Sequence, residues 1–213
     1  MAMFYKTRPF IISITLIICL LLLITSSKTR AYETSEAVKD MTTLGLAYST
    51  HIFFHELGHQ VVADDVGAED HNMSFLTRRN GQFYFGLSTY QNIPVESKLA
   101  YAAGGDRMAG YTFEYALQSY RNNPTTFNKA LMFFSGADFL IYTMIANYQN
   151  PDNDMYDPNL IRKETGCSKE MLLGMVAAKT FANAYRVMNK DANFVPYIMV
   201  DRDSASFMMQ IKF

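Results

Sequence analysis

Apolar residues at Val38, Met41, Leu44, Tyr48, Ile52, Leu57 and Val61 recur at helical spacing, and Ser35 followed by Glu36 reads as the start of the helix that carries them to Val62. After Asp64, Asp65 and Gly67 the pattern becomes alternating. His71 to Arg78 and Gln82 to Thr89 flank Arg79-Asn80-Gly81, and Asn-Gly between alternating runs predicts a hairpin. Pro94 predicts the first turn of a second helix running toward Tyr120, where Gly104-Gly105 either interrupts the helix or lets another backbone come very close. Asn123 as cap and Pro124 in the first turn predict a third helix to Tyr148. Gln149 to Leu160, rich in Asn, Asp and Pro, reads as a solvated loop, and Ser168 starts a fourth helix over Met171 to Met188. Alternation returns at Tyr197 to Val200. An Asp-Arg-Asp-Ser turn follows, then a strand with Phe207, Met209, Ile211 and Phe213 on one face. These elements predict a mainly α protein with two β-hairpins, an α+β class with a helical core.

Ahead of them, residues 1–31 read as an export signal or an N-terminal membrane anchor. Lys6 and Arg8 precede an apolar run from Phe10 to Ile24, and Thr29-Arg30-Ala31 has the small-x-small form of a cleavage site. Pro9 to Ser27 is also a charge-free run of 19 residues, close to the roughly 20 that cross a bilayer. Both readings place the bulk of the chain outside the cytoplasm, exported or anchored facing outward, because basic residues ahead of the apolar run favour an inside N-terminus. The remainder, 32–213, is of a length for one domain.

A formal net charge of −1 over 213 residues offers no basic surface, which argues against a nucleic-acid partner. Cysteine is confined to Cys19 and Cys167, so neither a disulfide framework nor a Cys-x-x-Cys zinc site is available. Asp152, Asp154 and Asp157 lack the glycine and closing glutamate of a helix-loop-helix calcium site.

The chemistry concentrates in His55-Glu56-Leu57-Gly58-His59. On a helix, the i, i+4 spacing puts both imidazoles on one face, where their nitrogens can meet one Zn²⁺. Glu56 follows the first ligand directly, where a general base must sit to take a proton from water activated by the metal. Gly58 lets another backbone approach. His51, one turn earlier, extends the row, but two turns separate it from His59, about 12 Å of rise, so it supports the site or lies on a path to it instead of completing it. The pentapeptide resembles the zincin metallopeptidases.

A catalytic zinc usually takes three protein ligands. Asp65, ten residues after His55, is one candidate for the third, although the chain-turning glycine of the extended zincin motif is Val62 here. Glu114 on the second helix is another. Asp138 is preferred, because it is the one charge between Ala130 and Tyr148, and a lone carboxylate there needs a partner. The order of motif helix, hairpin, Ala103-Gly104-Gly105 helix and apolar helix with one Asp resembles the site-2-protease family over roughly 45–148. That resemblance implies His55, His59 and Asp138 as zinc ligands and Glu56 as base. The chain departs from the family's pattern at Gly105, where a proline is usual, and at Phe139, where a glycine follows the aspartate.

The expected activity is peptide-bond hydrolysis on a peptide or protein substrate, with Arg107, Tyr111 or Tyr142 as donors to the developing oxyanion. Two other readings stand beside it: a non-catalytic, zinc-binding exported structural or interaction protein, and a membrane-associated helical protein.

Overall fold

The computed structural model describes residues 34–79 and 81–211. The segment read as signal or anchor, Asn80 in the hairpin turn, and Phe213 lie outside the described residues. The chain divides into two units, Met1–Met41 and Thr42–Phe213. Of the first, only the helical residues from 34 onward are described.

The elements in order are α1 (Thr34–Asp65), β1 (Asn72–Arg79), β2 (Gln82–Thr89), a 3-10 turn (Val95–Ser97), α2 (Lys98–Asn122), α3 (Thr126–Gln149), α4 (Asp157–Thr165), α5 (Lys169–Met188), β3 (Phe194–Asp201) and β4 (Ser204–Ile211). The described residues are thus mainly helical, with two separate two-stranded antiparallel sheets. In the first sheet Arg79 pairs with Gln82 and Asn72 with Thr89, and Gly81 takes the positive φ of 77° that the tight turn demands. In the second, Asp201 pairs with Ser204, which closes the turn at the Asp-Arg-Asp-Ser sequence.

Three helix boundaries differ from the expectation. Pro94 precedes the separate 3-10 turn, and α2 itself begins at Lys98. The cap of α3 is Thr125 in place of Asn123: its side chain accepts from the Asn128 amide at 3.1 Å, satisfying a donor the helix leaves open, and Pro124 lies before the helix. Residues 157–165, part of them read as loop, form α4, with Pro158 in its first turn and Gly166 at φ 68° ending it. Ser168 caps α5 as expected, accepting from the Met171 amide at 3.1 Å.

The core lies between α2, α3, α4 and α5, where Leu99, Ala102, Phe139, Ile161, Leu172 and Val176 pack together with Ile198 and Val200 of β3 against them. A smaller cluster joins the end of α1 to α2 through Ala63, Ala68, Ile93 and Tyr101. Helix α2 runs unbroken through Gly104-Gly105, and the glycines serve a close crossing. A Cβ on Gly58 would stand 2.3 Å from the Gly104 carbonyl oxygen, and one on Gly104 would stand 2.6 Å from that of Gly58. Any larger residue would push α1 and α2 apart. Among the described residues, α3 is the one helix long and apolar enough to cross a membrane, and half of its most apolar window is buried inside the protein, as in a core helix.

Candidate metal centre

Helix α1 presents His51, His55 and His59 on one buried face. The Nε2 atoms of His55 and His59 stand 3.3 Å apart. The carboxylate that meets them is that of Asp157, at the start of α4: its Oδ2 lies 3.3 Å from His55 Nε2 and 3.3 Å from His59 Nε2. Among the described residues these three form the buried group whose donor atoms can hold a metal ion. The three atoms make a triangle of equal edges. Donors 2.0–2.1 Å from a tetrahedral metal stand roughly 3.3–3.4 Å from one another, so the triangle has the dimensions of one face of such a site.

Neighbouring residues hold the donors in place. His59 donates through Nδ1 to the Tyr101 carbonyl at 2.7 Å, which leaves Nε2 as the lone-pair nitrogen. The Asp157 amide donates to the Tyr142 hydroxyl at 3.3 Å, and the Tyr142 ring stands edge-on to His55 with centroids 6.2 Å apart. Gly105 supplies the space: a Cβ there would lie 2.5 Å from His55 Nε2 and 2.6 Å from His59 Nε2. The absent side chain leaves free the volume in front of both nitrogens. Donor set, spacing and space together fit a divalent cation.

The electrostatics match. Burial pushes the His55 imidazolium down, yet Asp157, with Glu56 and Asp138, outweighs it and holds the group at about 9. Burial and the neighbouring His55 push His59 down too, but Asp157 and Glu56 outweigh them and raise it. Burial raises the Asp157 carboxyl, but the two imidazoles more than reverse this and bring it to about 2. Asp157 thus favours positive charge on the histidine pair although the two imidazoles oppose each other, and a cation can take the place of the protons.

Glu56 is buried beside this group and packs against β2. A Cβ on Gly86 would stand 2.7 Å from Glu56 Oε1 and 2.6 Å from the Ile52 side chain, so only glycine lets the strand come this close. Ser88 reinforces the contact, its hydroxyl donating to the Glu56 carbonyl at 3.1 Å.

The other expected ligands lie elsewhere. Asp138 faces His51, with Oδ2 3.2 Å from Nε2, so the partner that its lone position in α3 demands is an imidazole. His51 is fully buried and sits edge-on to the His55 ring, centroids 6.2 Å apart, contacting the site without joining it. Glu114 is paired with Arg186 through both carboxylate oxygens, and Asp65 is exposed at the end of α1. Of the three candidate oxyanion donors, Tyr142 alone touches the cluster residues; Arg107 and Tyr111 are exposed. From the sequence Asp157 was weighed only with Asp152 and Asp154 as a calcium loop, and not as a partner of the histidines. The signal available was Asp157-Pro158 followed by Gly166, a helix start and stop that places an acidic residue in the first turn of a helix.

No family model matches the chain, and neither curated proteins nor solved structures provide a match.

Proposed function

We propose that this protein is a zinc metallopeptidase whose metal is held by His55, His59 and Asp157. The equilateral 3.3 Å triangle of donors carries the reading. Two nitrogens and one oxygen at a tetrahedral face suit zinc, and three protein ligands leave the open position that catalytic sites keep. Bound there, zinc would polarise a scissile carbonyl and lower the pKa of water, so that water could attack after losing a proton.

The chain's own residues supply the rest. Glu56 accepts the proton of the attacking water at its carboxylate and delivers it to the leaving amine. Gly86 holds β2 against Glu56, which fixes the carboxylate and shields it on one side. Burial first, and then the Asp157 charge, raise the Tyr142 hydroxyl well above its ordinary range, so it keeps its proton and can donate to a developing oxyanion. A groove of about 440 Å³ opens between α1 and the first hairpin, lined by Leu46, Tyr48, Ile52, Phe53, Phe75 and Phe85 among others. Ile52 touches the same Gly86 as Glu56, so the groove adjoins the reacting end and suits an apolar side chain of a peptide substrate. Action outside the cytoplasm is proposed on residues 1–31 alone.

Glu56→Gln tests the reading. It should keep the zinc and the fold and lower peptide cleavage by at least 10²-fold, because an amide cannot accept the proton. Activity within a few-fold of the parent would remove Glu56 from the role.

A further inference from the structure

We infer that Lys179 on α5 is a positioning residue for the metal centre, acting through a buried ion pair with Asp106 on α2. The inference rests on the metal reading above. Helix α2 contributes two things to the site, the Tyr101 carbonyl that orients His59 and the empty space at Gly105. These residues are one turn apart on one face, so a twist confined to this part of α2 disturbs both. With Cα atoms about 2.3 Å from the helix axis, a rotation of about 20° shifts each by roughly 0.8 Å. That stretches the 2.7 Å bond from His59 beyond useful length and pushes the Gly105 backbone toward or away from the two Nε2 atoms.

At the Gly58–Gly104 crossing the two backbones meet directly, with Val62 and Met108 beside the contact, while a polar contact holds another side of α2. Asp106 follows Gly105 directly and is turned about 100° from it around the helix, away from α1. Both its oxygens meet Lys179 Nζ, at 2.6 and 2.7 Å, and Asp106 and Lys179 are each only 7% exposed. Held at two points by a residue 73 positions further along the chain, the carboxylate fixes the angle of α2. Burying such a pair costs as much hydration as its attraction returns, so its place here is better explained by geometry than by stability. A second pair provides an internal control. Glu114 and Arg186 join the same two helices, with Arg186 also over the Phe113 ring at 5.7 Å, but Glu114 is eight residues beyond Asp106, about 12 Å along the axis from it and farther still from Gly105 and Tyr101.

Zinc affinity, measured on the full chain by chelator competition at a temperature where every variant is folded, separates positioning from mere support. Lys179→Met should weaken zinc about 10–100-fold, the size seen when a ligand's supporting contacts are lost, and should shift the visible absorption of the Co²⁺-loaded protein. Arg186→Met should lower the melting temperature yet leave zinc affinity and the Co²⁺ spectrum close to the parent's. If Lys179→Met does not fold, the near-isosteric Asp106→Asn carries the test with the same expected loss. Unchanged affinity in a folded Lys179 or Asp106 variant, or an equal loss in Arg186→Met, overturns the inference while leaving the metal reading intact. A parent chain that binds no zinc overturns both.

Discussion

Asp157 comes back across 102 residues of chain to set its Oδ2 3.3 Å from His55 Nε2. The contact joins the first turn of α4 to α1, and so makes the candidate metal site depend on helices that are distant in sequence. An Asp side chain is short. The site therefore requires α4 to start at this position, which Pro158 and the interactions of the preceding loop secure.

Space at the metal makes a sharp prediction. Gly105→Ala puts a methyl group within 2.6 Å of both Nε2 atoms and should abolish zinc binding while the helix, which gains an alanine, still forms. Gly86→Ala collides instead with Glu56 and Ile52, so it should retain zinc and lose cleavage. Elemental analysis beside a cleavage assay distinguishes them; zinc retained in Gly105→Ala would mean that the space is not the metal's.

Tyr142→Phe removes the hydroxyl that accepts from the Asp157 amide and is offered here as the oxyanion donor. Cleavage should fall about 10²-fold, in kcat more than in KM, with zinc affinity changing far less. A loss confined to zinc affinity would make the hydroxyl a support for Asp157 only.

The raised His55 value predicts a pH dependence of the metal-free protein. A group held at about 9 in the folded state, against an ordinary 6.5, contributes stability that is complete below pH 6.5 and disappears as pH rises through 9. Chelated protein should therefore melt at progressively lower temperature from pH 6.5 to 9. The zinc-loaded form, whose imidazoles are already without that proton, should show no such fall. Thermal melts at three pH values in this window test it, and a chelated protein whose melting temperature rises with pH would contradict it.

The i, i+4 histidines, both hairpins and the long helices were legible because each is a local pattern: helical spacing, an Asn-Gly turn, alternation, a cap. Asp157 was not. Its neighbourhood, Gln149 to Leu160, has the composition of solvated loop, yet its polar groups are used within the protein. Asn159 is buried and donates to the carbonyls of Asn150 and Asn153 at 2.7 and 3.0 Å, and Gln82 donates to the Tyr156 hydroxyl. Composition cannot distinguish a loop bonded to water from one bonded to itself. Asp138 shows the complementary limit. Its isolation on an apolar helix correctly demands a partner, but His51 and a metal satisfy the same demand, and which is within reach is a matter of tertiary geometry.

His55, His59 and Asp157 are proposed to hold one zinc between them. Zinc content per chain, determined on the parent beside Asp157→Asn and Asp138→Asn, tests it most directly. The parent and Asp138→Asn should each carry about one zinc, and Asp157→Asn should lose most of it, by at least the 10–100-fold in affinity that lost supporting contacts alone cause. Zinc held by Asp157→Asn and lost from Asp138→Asn would contradict the account.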